Sequence, residues 1–213
     1  MKLVKEEIDS IIFDMDGTLW DAMPSYAEVW NVAFAELGME VRIDHNILRS
    51  NIGKTIDEIL DSLSLRYEFH VTRDEFLRRV DEIEDALLPT IGGVPYTGMQ
   101  DGIKKLSKKY PVFLLSNCGK HGLQNFMHYT GIGEYITDYI SYGIRQAPKS
   151  DNMAFMCKRH GLAHPVYVGD TQGDCSSAHA CGIPFVFASY GFGDCKDYDL
   201  QIRNFSELVE YFV

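Results

Sequence analysis

Residues 9–20 read Asp-Ser-Ile-Ile-Phe-Asp-Met-Asp-Gly-Thr-Leu-Trp, and the rest of the chain is best understood from this stretch. The apolar run Ile11-Ile12-Phe13 is rich in β-branched and aromatic residues, which predicts a buried strand that ends at Asp14 and Asp16. Gly17 then permits a tight turn. Two carboxylates one residue apart repel each other unless a cation lies between them. The pair therefore predicts a site for a hard divalent metal at the carboxyl end of a strand.

Size and composition describe an ordinary globular protein of 213 residues, 46% hydrophobic and 24% charged, with one domain or one domain and a sizeable insertion. Its net charge of -11 disfavours binding to nucleic acid or to an anionic membrane surface. We recognise neither a secretory signal nor a membrane-spanning stretch in the sequence. Five cysteines without a Cys-x-x-Cys spacing argue against disulfides and a zinc site, so a cytoplasmic protein is expected.

A block of helical patterns follows the opening motif. Apolar residues recur at helical spacing in three successive stretches within residues 24–87, and no convincing strand interrupts them. The block ends at a cluster of helix breakers, Pro89, Gly92 and Gly93. We therefore predict an all-α cap at residues 21–90, inserted into a core domain made of residues 1–20 and 91–213.

From Pro95 onward, predicted helices alternate with short apolar strands. The predicted strands are residues 112–115, 139–142, 166–168 and 184–187, and the last helix is expected to be capped by Ser206. Strands separated by helices imply crossover connections, and hence a parallel sheet covered by helices on both faces. The predicted fold class is therefore α/β.

Further polar groups follow the later strands. Ser116 and Asn117 end the strand at residues 112–115, and we expect a helix to start there, which would favour a bound anion. Lys149 precedes a predicted helix. Asp170 and Asp174 follow another strand. A parallel sheet can bring these groups and the first acidic pair into one crevice. Phosphoryl transfer uses such a set, because it needs a nucleophile, a divalent metal, anion donors and an acid for the leaving alcohol.

The chain resembles the haloacid dehalogenase superfamily, and specifically its phosphatase branch with a helical cap inserted after the first motif. All four family motifs are present: Asp14-Met15-Asp16-Gly17-Thr18, then Ser116, then Lys149, then Gly169-Asp170 with Asp174. The resemblance covers essentially the whole chain. It implies a Rossmann-like core and Mg²⁺-dependent hydrolysis of a small phosphorylated metabolite, closest in appearance to the phosphoglycolate phosphatases.

The resemblance also implies roles for individual residues. Asp14 is the expected nucleophile, which forms an aspartyl-phosphate, and Asp16 is the expected general acid and later the base. The implied Mg²⁺ ligands are Asp14, the backbone carbonyl of Asp16, and Asp170, with Asp174 expected beside them rather than on the metal. The phosphoryl oxygens are expected to contact Ser116, Lys149 and the backbone N–H groups of Met15, Asp16 and Asn117.

The cap is expected to close over the site and to contact the organic part of the substrate. The turn Ile52-Gly53-Lys54-Thr55 is similar to the cap turn that approaches the core in relatives with a cap. Tyr26, Arg49, Lys54 and Thr55 are therefore the candidates for substrate discrimination. For Arg49 and Lys54, a role as solvated surface charges is an equal alternative.

Other activities are compatible with the same motifs. The enzymatic alternatives are a phosphomutase of the β-phosphoglucomutase type, a pyrophosphatase and a nucleotidase. A catalytically inactive binding protein is the alternative from another class, although the intact Asp14, Asp16 and Lys149 favour an enzyme. The sequence indicates neither the physiological substrate nor the oligomeric state.

Overall fold

The computed structural model describes residues 3–51 and 54–213, with the backbone but not the side chain of Ile56. The strands are β1 (Ser10–Phe13), β2 (Trp20–Asp21), β3 (Val94–Pro95), β4 (Val112–Ser116), β5 (Asp138–Ser141), β6 (Pro165–Gly169), β7 (Phe185–Ala188) and β8 (Leu200–Ile202). The helices are α1 (Met23–Glu36), α2 (His45–Arg49), α3 (Ile56–Ser64), α4 (Arg73–Ile91), α5 (Met99–Leu106), α6 (Gly122–Thr130), α7 (Tyr142–Arg145), α8 (Lys149–His160), α9 (Gln172–Ala180) and α10 (Phe205–Phe212). Of the helices described, not one combines the length and the apolar character that a bilayer span requires.

Six strands form one parallel sheet in the order β5-β4-β1-β6-β7-β8. β1 lies inside the sheet, where Ile12 is opposite Phe113 on one side and Tyr167 on the other. The pairing is parallel because helices separate most of the strands and return the chain to the same edge. The predicted α/β fold class is confirmed. The carboxyl ends of β1, β4 and β6 consequently meet at one edge of the sheet.

Successive residues of β1 face opposite sides of the sheet. Ile11 and Phe13 belong to an apolar cluster that includes Phe205 and other residues of α5, α6 and α10. Ile12 belongs to a second cluster, with Met153 of α8 and residues of α9. A strand that is buried on both faces needs apolar residues at every position. This requirement explains why β1 and its end are recognisable from the sequence.

Helices α1 to α4 enclose a third apolar cluster of their own. At its centre, the ring centroids of Trp30 and Phe34 lie 5.4 and 4.8 Å from that of Phe76. Pro24 is in the first turn of α1, where its missing N–H costs no helical hydrogen bond. We propose that α1 to α4 form a cap domain, because they have a core of their own.

The chain passes between the sheet and these helices at a short antiparallel ribbon. Trp20 of β2 is opposite Pro95 of β3, and Asp21 is opposite Val94. Neither strand is predicted from the sequence, because two residues are too few to show a period. We propose this ribbon as the boundary between the core and the cap, close to the predicted divisions at residues 20 and 90.

Several elements differ from the sequence predictions. Helix α4 continues through Pro89 and ends at Gly92, whose φ of +48° is left-handed. The last helix is capped by Asn204 and not by Ser206, since the Asn204 side chain accepts the backbone N–H of Glu207 over 3.0 Å. Helix α2 and strand β8 are not predicted, because neither is long enough to show a clear period.

Candidate active site

The carboxyl ends of β1 and β4 open into a cleft between the sheet and helices α1 to α4. Its volume is about 780 Å³, including the part that is open to solvent. The core contributes Asp14, Asp16, Ser116, Asn117, Cys118, Gly119 and Lys149 to its lining. Residues 23–84 contribute Met23, Tyr26, Trp30, Leu48, Asn51, Lys54, Ile59 and Glu84. The two parts of the chain therefore face each other across one site.

Lys149 joins two of the predicted acidic residues. Its Nζ lies 2.9 Å from Oδ1 of Asp14 and 2.6 Å from Oδ1 of Asp174. All three side chains are buried, with at most 8% exposure. Burial lowers the pKa of Lys149, but the charges of the two carboxylates outweigh it and raise that pKa well above its ordinary value. The ammonium group therefore remains charged beside Asp14.

Asp14 and Asp16 both hold their protons more tightly than ordinary carboxyl groups. Burial raises the pKa of Asp14 to about 6, while Lys149 opposes this and Asp174 adds to it. Burial and then the charge of Asp14 raise the pKa of Asp16 to about 7. The indole N–H of Trp20 donates to Oδ1 of Asp16 over 2.9 Å and orients its carboxyl group. A carboxyl group with this pKa can exchange a proton near neutral pH.

Three carboxylates meet behind the cleft. One carboxylate oxygen from each of Asp14, Asp170 and Asp174 lies within 4.8 Å of the other two. Asp170 is fully buried, and burial followed by the charges of its two neighbours raises its pKa well above the ordinary value. Its Oδ2 accepts the backbone N–H of Phe192 over 2.8 Å, and the Thr18 hydroxyl lies 3.4 Å from its Oδ1. This concentration of buried oxygen ligands fits a hard divalent cation.

Asp174 is already engaged through both oxygens. Its Oδ2 accepts the backbone N–H and the hydroxyl of Thr171 over 3.1 and 2.6 Å, which forms a capping box at the start of α9. Its Oδ1 accepts from Lys149 and lies 3.3 Å from the hydroxyl of Tyr167. The hydrogen bonds of Asp174 therefore serve the helix start and the position of the lysine.

Ser116 ends β4, and its Oγ accepts the backbone N–H of Cys118 over 3.3 Å. Asn117 also lines the cleft. Helix α6 begins only at Gly122, whereas the sequence analysis expects a helix directly after Ser116. Backbone N–H groups near Ser116 therefore belong to a loop, and the positive end of a helix is not immediately beside this serine.

Of the four cap candidates, Tyr26 and Lys54 line the cleft. The Tyr26 hydroxyl is buried, and none of the described residues forms a hydrogen bond with it. Lys54 donates from its Nζ to Oδ1 of Asn51 over 3.0 Å. Two residues of the predicted cap turn, Ile52 and Gly53, lie outside the described part of the chain.

The other two candidates, Arg49 and Thr55, are not among the residues of the cleft lining. Arg49 Nη2 lies 2.7 Å from Oδ2 of Asp21, and its guanidinium group is 4.8 Å from the centre of the Phe192 ring. Thr55 caps α3, and its capping box with Glu58 uses its hydroxyl. Both side chains are therefore already engaged by other residues, Arg49 at the end of α2 and Thr55 at the start of α3.

Asn51 and Glu84 are two polar residues of the cleft that the sequence does not predict as site residues. For Glu84 a signal existed, because it is next to Ile83 on the apolar side of α4, together with Phe76 and Val80. An acidic residue at a core-facing helical position is unusual and points to a special role. For Asn51 no comparable signal is present in the sequence.

Comparison with known proteins agrees with this architecture. A phosphoglycolate phosphatase from Photobacterium profundum is 25% identical over 96% of each chain. A structure of a predicted phosphoglycolate phosphatase from Haemophilus somnus has a TM-score of 0.82 and 21% identity, covering 96% of this chain and 97% of that one. CbbY from Rhodobacter sphaeroides, in complex with xylulose-(1,5)bisphosphate, has a TM-score of 0.82 and 17% identity, covering 94% and 96%. The two structures share the fold.

The fold is a parallel α/β sheet with a polar cleft at the carboxyl ends of its strands. The chain belongs to the haloacid dehalogenase-like hydrolase family, whose model matches residues 11–188. The family predicted from the four motifs is confirmed. The predicted enzyme class, a phosphatase of this family, is confirmed by the relatives that match along most of the chain.

Proposed function

We propose that the protein hydrolyses small phosphate monoesters through an aspartyl-phosphate formed on Asp14. The observation that carries this proposal is the convergence of Asp14, Asp16, Ser116 and Lys149 on one cleft at the carboxyl edge of the sheet. The cleft also contains a thiol, Cys118, but burial and the charge of Asp16 raise its pKa well above the ordinary value. A protonated thiol is a poor nucleophile, so Asp14 is the better candidate.

In the first step, an oxygen of Asp14 attacks phosphorus, and the bond from phosphorus to the ester oxygen breaks. Asp16 gives its proton to the departing alkoxide, and its raised pKa favours a protonated group at neutral pH. In the second step, water gives a proton to Asp16 and attacks the phosphorus of the acyl phosphate, which releases phosphate and restores Asp14. Lys149 beside Asp14 would bind the phosphoryl oxygens and compensate their charge.

The donor set fits Mg²⁺, because carboxylate oxygens of three residues meet in a buried position. We propose that Asp14, the backbone carbonyl of Asp16, and Asp170 hold the ion, and that Asp174 holds Lys149 instead. When bound, Mg²⁺ would supply positive charge that neutralises the phosphoryl group beside the carboxylates.

Phosphoglycolate is the first substrate to test, because the relatives that match most of the chain are named phosphoglycolate phosphatases. A phosphomutase remains the main alternative, since the same four motifs would serve it. Transfer of phosphate between hydroxyls of a bisphosphorylated sugar, with little free phosphate, would establish the mutase. Hydrolysis of pyrophosphate or of nucleotides would instead identify a pyrophosphatase or a nucleotidase.

The test is phosphate release from phosphoglycolate, sugar and polyol phosphates, nucleotides and pyrophosphate, each with Mg²⁺ and with EDTA. Hydrolysis of monoesters that EDTA abolishes is the expected result. A folded preparation that releases no phosphate from any ester, and transfers none between sugar hydroxyls, would favour a binding protein that has lost turnover.

A further inference from the structure

Glu84 is a buried carboxyl group that faces the cleft. It lies on α4, is only 8% exposed, and lines the same cleft as Asp14 and Asp16. Among residues 3–51 and 54–213, none forms a hydrogen bond or ion pair with its side chain. Its Oε2 lies close to Gly119, because a Cβ added to that glycine would be 3.6 Å from it. Helix α4 thus directs an acidic group at the core motif that follows β4.

The surroundings of Glu84 do not stabilise its charge. Burial, followed by the negative charges of Asp81, Asp16 and Asp85, raises the pKa of Glu84 to about 8. A buried carboxyl group without a partner opposes folding, whereas an apolar residue at this position of the helix would favour it. Because the fold gains nothing from Glu84, its partner is expected among the ligands of the cleft.

A second unpartnered group faces the same part of the cleft from α1. The buried hydroxyl of Tyr26 has no hydrogen-bond partner among the described residues. The hydroxyl lies close to the carboxyl groups of Asp16 and Glu84. Two groups capable of hydrogen bonds therefore lie near Asp16, the proposed acid for the leaving alcohol.

We propose that Glu84, together with Tyr26, binds a hydroxyl group on the leaving alcohol, so that the protein prefers phosphate esters of polyols or sugars. This inference rests on the proposed function. A hydroxyl both donates and accepts, so it can pair with Glu84 in either protonation state of the carboxyl group. An unsubstituted alkyl ester would leave both Glu84 and Tyr26 without partners, and its binding would be weaker.

The same arrangement disfavours a leaving group that carries a carboxylate. Such a group would be buried near Glu84, and a buried carboxylate is costly unless a cation pairs with it. Arg49 is engaged with Asp21. Lys54, which lines the cleft, donates to Asn51. Glu84 thus favours a hydroxylated substrate over phosphoglycolate within the same chemistry.

The experiment compares kcat/KM for glycerol 3-phosphate, propyl phosphate and phosphoglycolate in the wild type, Glu84→Gln and Glu84→Leu, all with Mg²⁺. In the wild type we expect glycerol 3-phosphate to be the best of the three. In Glu84→Leu, the ratio of kcat/KM for glycerol 3-phosphate to that for propyl phosphate should fall about 10-fold or more, mainly through KM. Glu84→Gln keeps a donor and an acceptor and should retain part of the preference.

Two controls separate this role from a structural one. Glu75→Gln changes an exposed carboxylate on the same helix and should leave the ratio unchanged. The unliganded Glu84→Leu protein should unfold at a higher temperature than the wild type, because an unpaired buried carboxyl group is removed. Lower stability together with equal losses for all three esters would show a structural residue and overturn the inference.

Failure of the inference differs from failure of the proposed function. If the wild type hydrolyses propyl phosphate but prefers phosphoglycolate, or if the ratio is unchanged in Glu84→Leu, Glu84 does not select hydroxylated substrates while the hydrolase stands. If the folded wild type releases no phosphate from any of the three esters or from the wider panel, the proposed function fails and the inference fails with it.

Discussion

Lys149 Nζ lies 2.9 Å from Oδ1 of Asp14, although the two residues are 135 positions apart in the sequence. The lysine begins α8 and the aspartate follows β1, so the contact exists only because the parallel sheet brings both elements to one edge. The same ammonium group also binds Asp174. One buried cation therefore supports two buried carboxylates, and its removal has effects on both stability and activity.

Replacing Lys149 with Met should destabilise the protein by about 3 kcal/mol at pH 8, because it leaves buried carboxylates without their cation. The loss should be smaller at pH 5, where protonation of Asp14 removes part of the unpaired charge. Urea unfolding at both pH values measures the loss of stability relative to the wild type. Lys105→Met, at an exposed position of α5, is the matched control. Equal stability of the wild type and Lys149→Met at pH 8 would contradict this account.

Asp14→Asn should lower phosphate release by at least about 1,000-fold, because an amide is a far weaker nucleophile than a carboxylate. The fold should persist, since Asn keeps an oxygen that can accept from Lys149. Phosphate release and thermal unfolding are measured together, with Asp101→Asn at an exposed position as the control. Retained activity in Asp14→Asn would remove Asp14 from the role of nucleophile.

Gly17→Ala should abolish activity. It should also destabilise the protein by more than the usual cost of placing alanine at a position with positive φ. Gly17 has φ +83°, and an added Cβ would overlap the carboxylate of Asp170. Gly38 is the matched control, because its φ is +69° and nothing lies within 4 Å of an added Cβ. Gly38→Ala should cost about 1 kcal/mol, and Gly17→Ala about 2 kcal/mol more. Similar unfolding free energies for the two variants would show that the Asp170 contact is not tight.

The unliganded protein should lose stability between pH 4.5 and pH 8 because of Glu84. Its ordinary pKa is 4.5 and its pKa in the folded protein is about 8, so the folded state holds a proton that the unfolded chain releases in this window. The favourable contribution is complete below pH 4.5 and is lost as the pH rises through 8. In Glu84→Gln, the decline in unfolding free energy across this window should be shallower, whereas Glu75→Gln should follow the wild type. A parallel decline in both variants would mean that the Glu84 carboxyl group titrates normally.

Removal of the metal should abolish turnover and leave a folded protein. EDTA is expected to stop phosphate release, and added Mg²⁺ to restore it, because the buried carboxylates need a cation to act together. At a concentration of 100 times its Kd, Mg²⁺ should raise the unfolding free energy by about 2.7 kcal/mol.

Asp170→Asn should greatly reduce that Mg²⁺-dependent stabilisation, because it removes a charged oxygen ligand. Asp101→Asn, at an exposed position, serves as the control. Thermal unfolding with and without Mg²⁺ gives a reading that does not depend on turnover. An equal Mg²⁺ effect in the wild type and in Asp170→Asn would exclude this carboxylate as a ligand.

The core motifs could be predicted from local sequence. A central parallel strand is apolar on both faces, so the run before Asp14 identifies both β1 and the position where it ends. The same holds for β4 before Ser116 and for β6 before Asp170. Because parallel strands deliver their carboxyl ends to one edge, knowing the strands was enough to expect these side chains in a common crevice.

Only the tertiary structure decided which cap residues face that crevice. Helical periodicity shows which side of α4 is apolar, but it does not show what packs against that side. Contacts across the cleft depend on how helices α1 to α4 are placed over the sheet. This placement brings Glu84 and Tyr26 to the cleft and leaves Arg49 paired with Asp21. The sequence therefore determined the polar edge of the sheet, whereas three-dimensional packing decided which residues face that edge across the cleft.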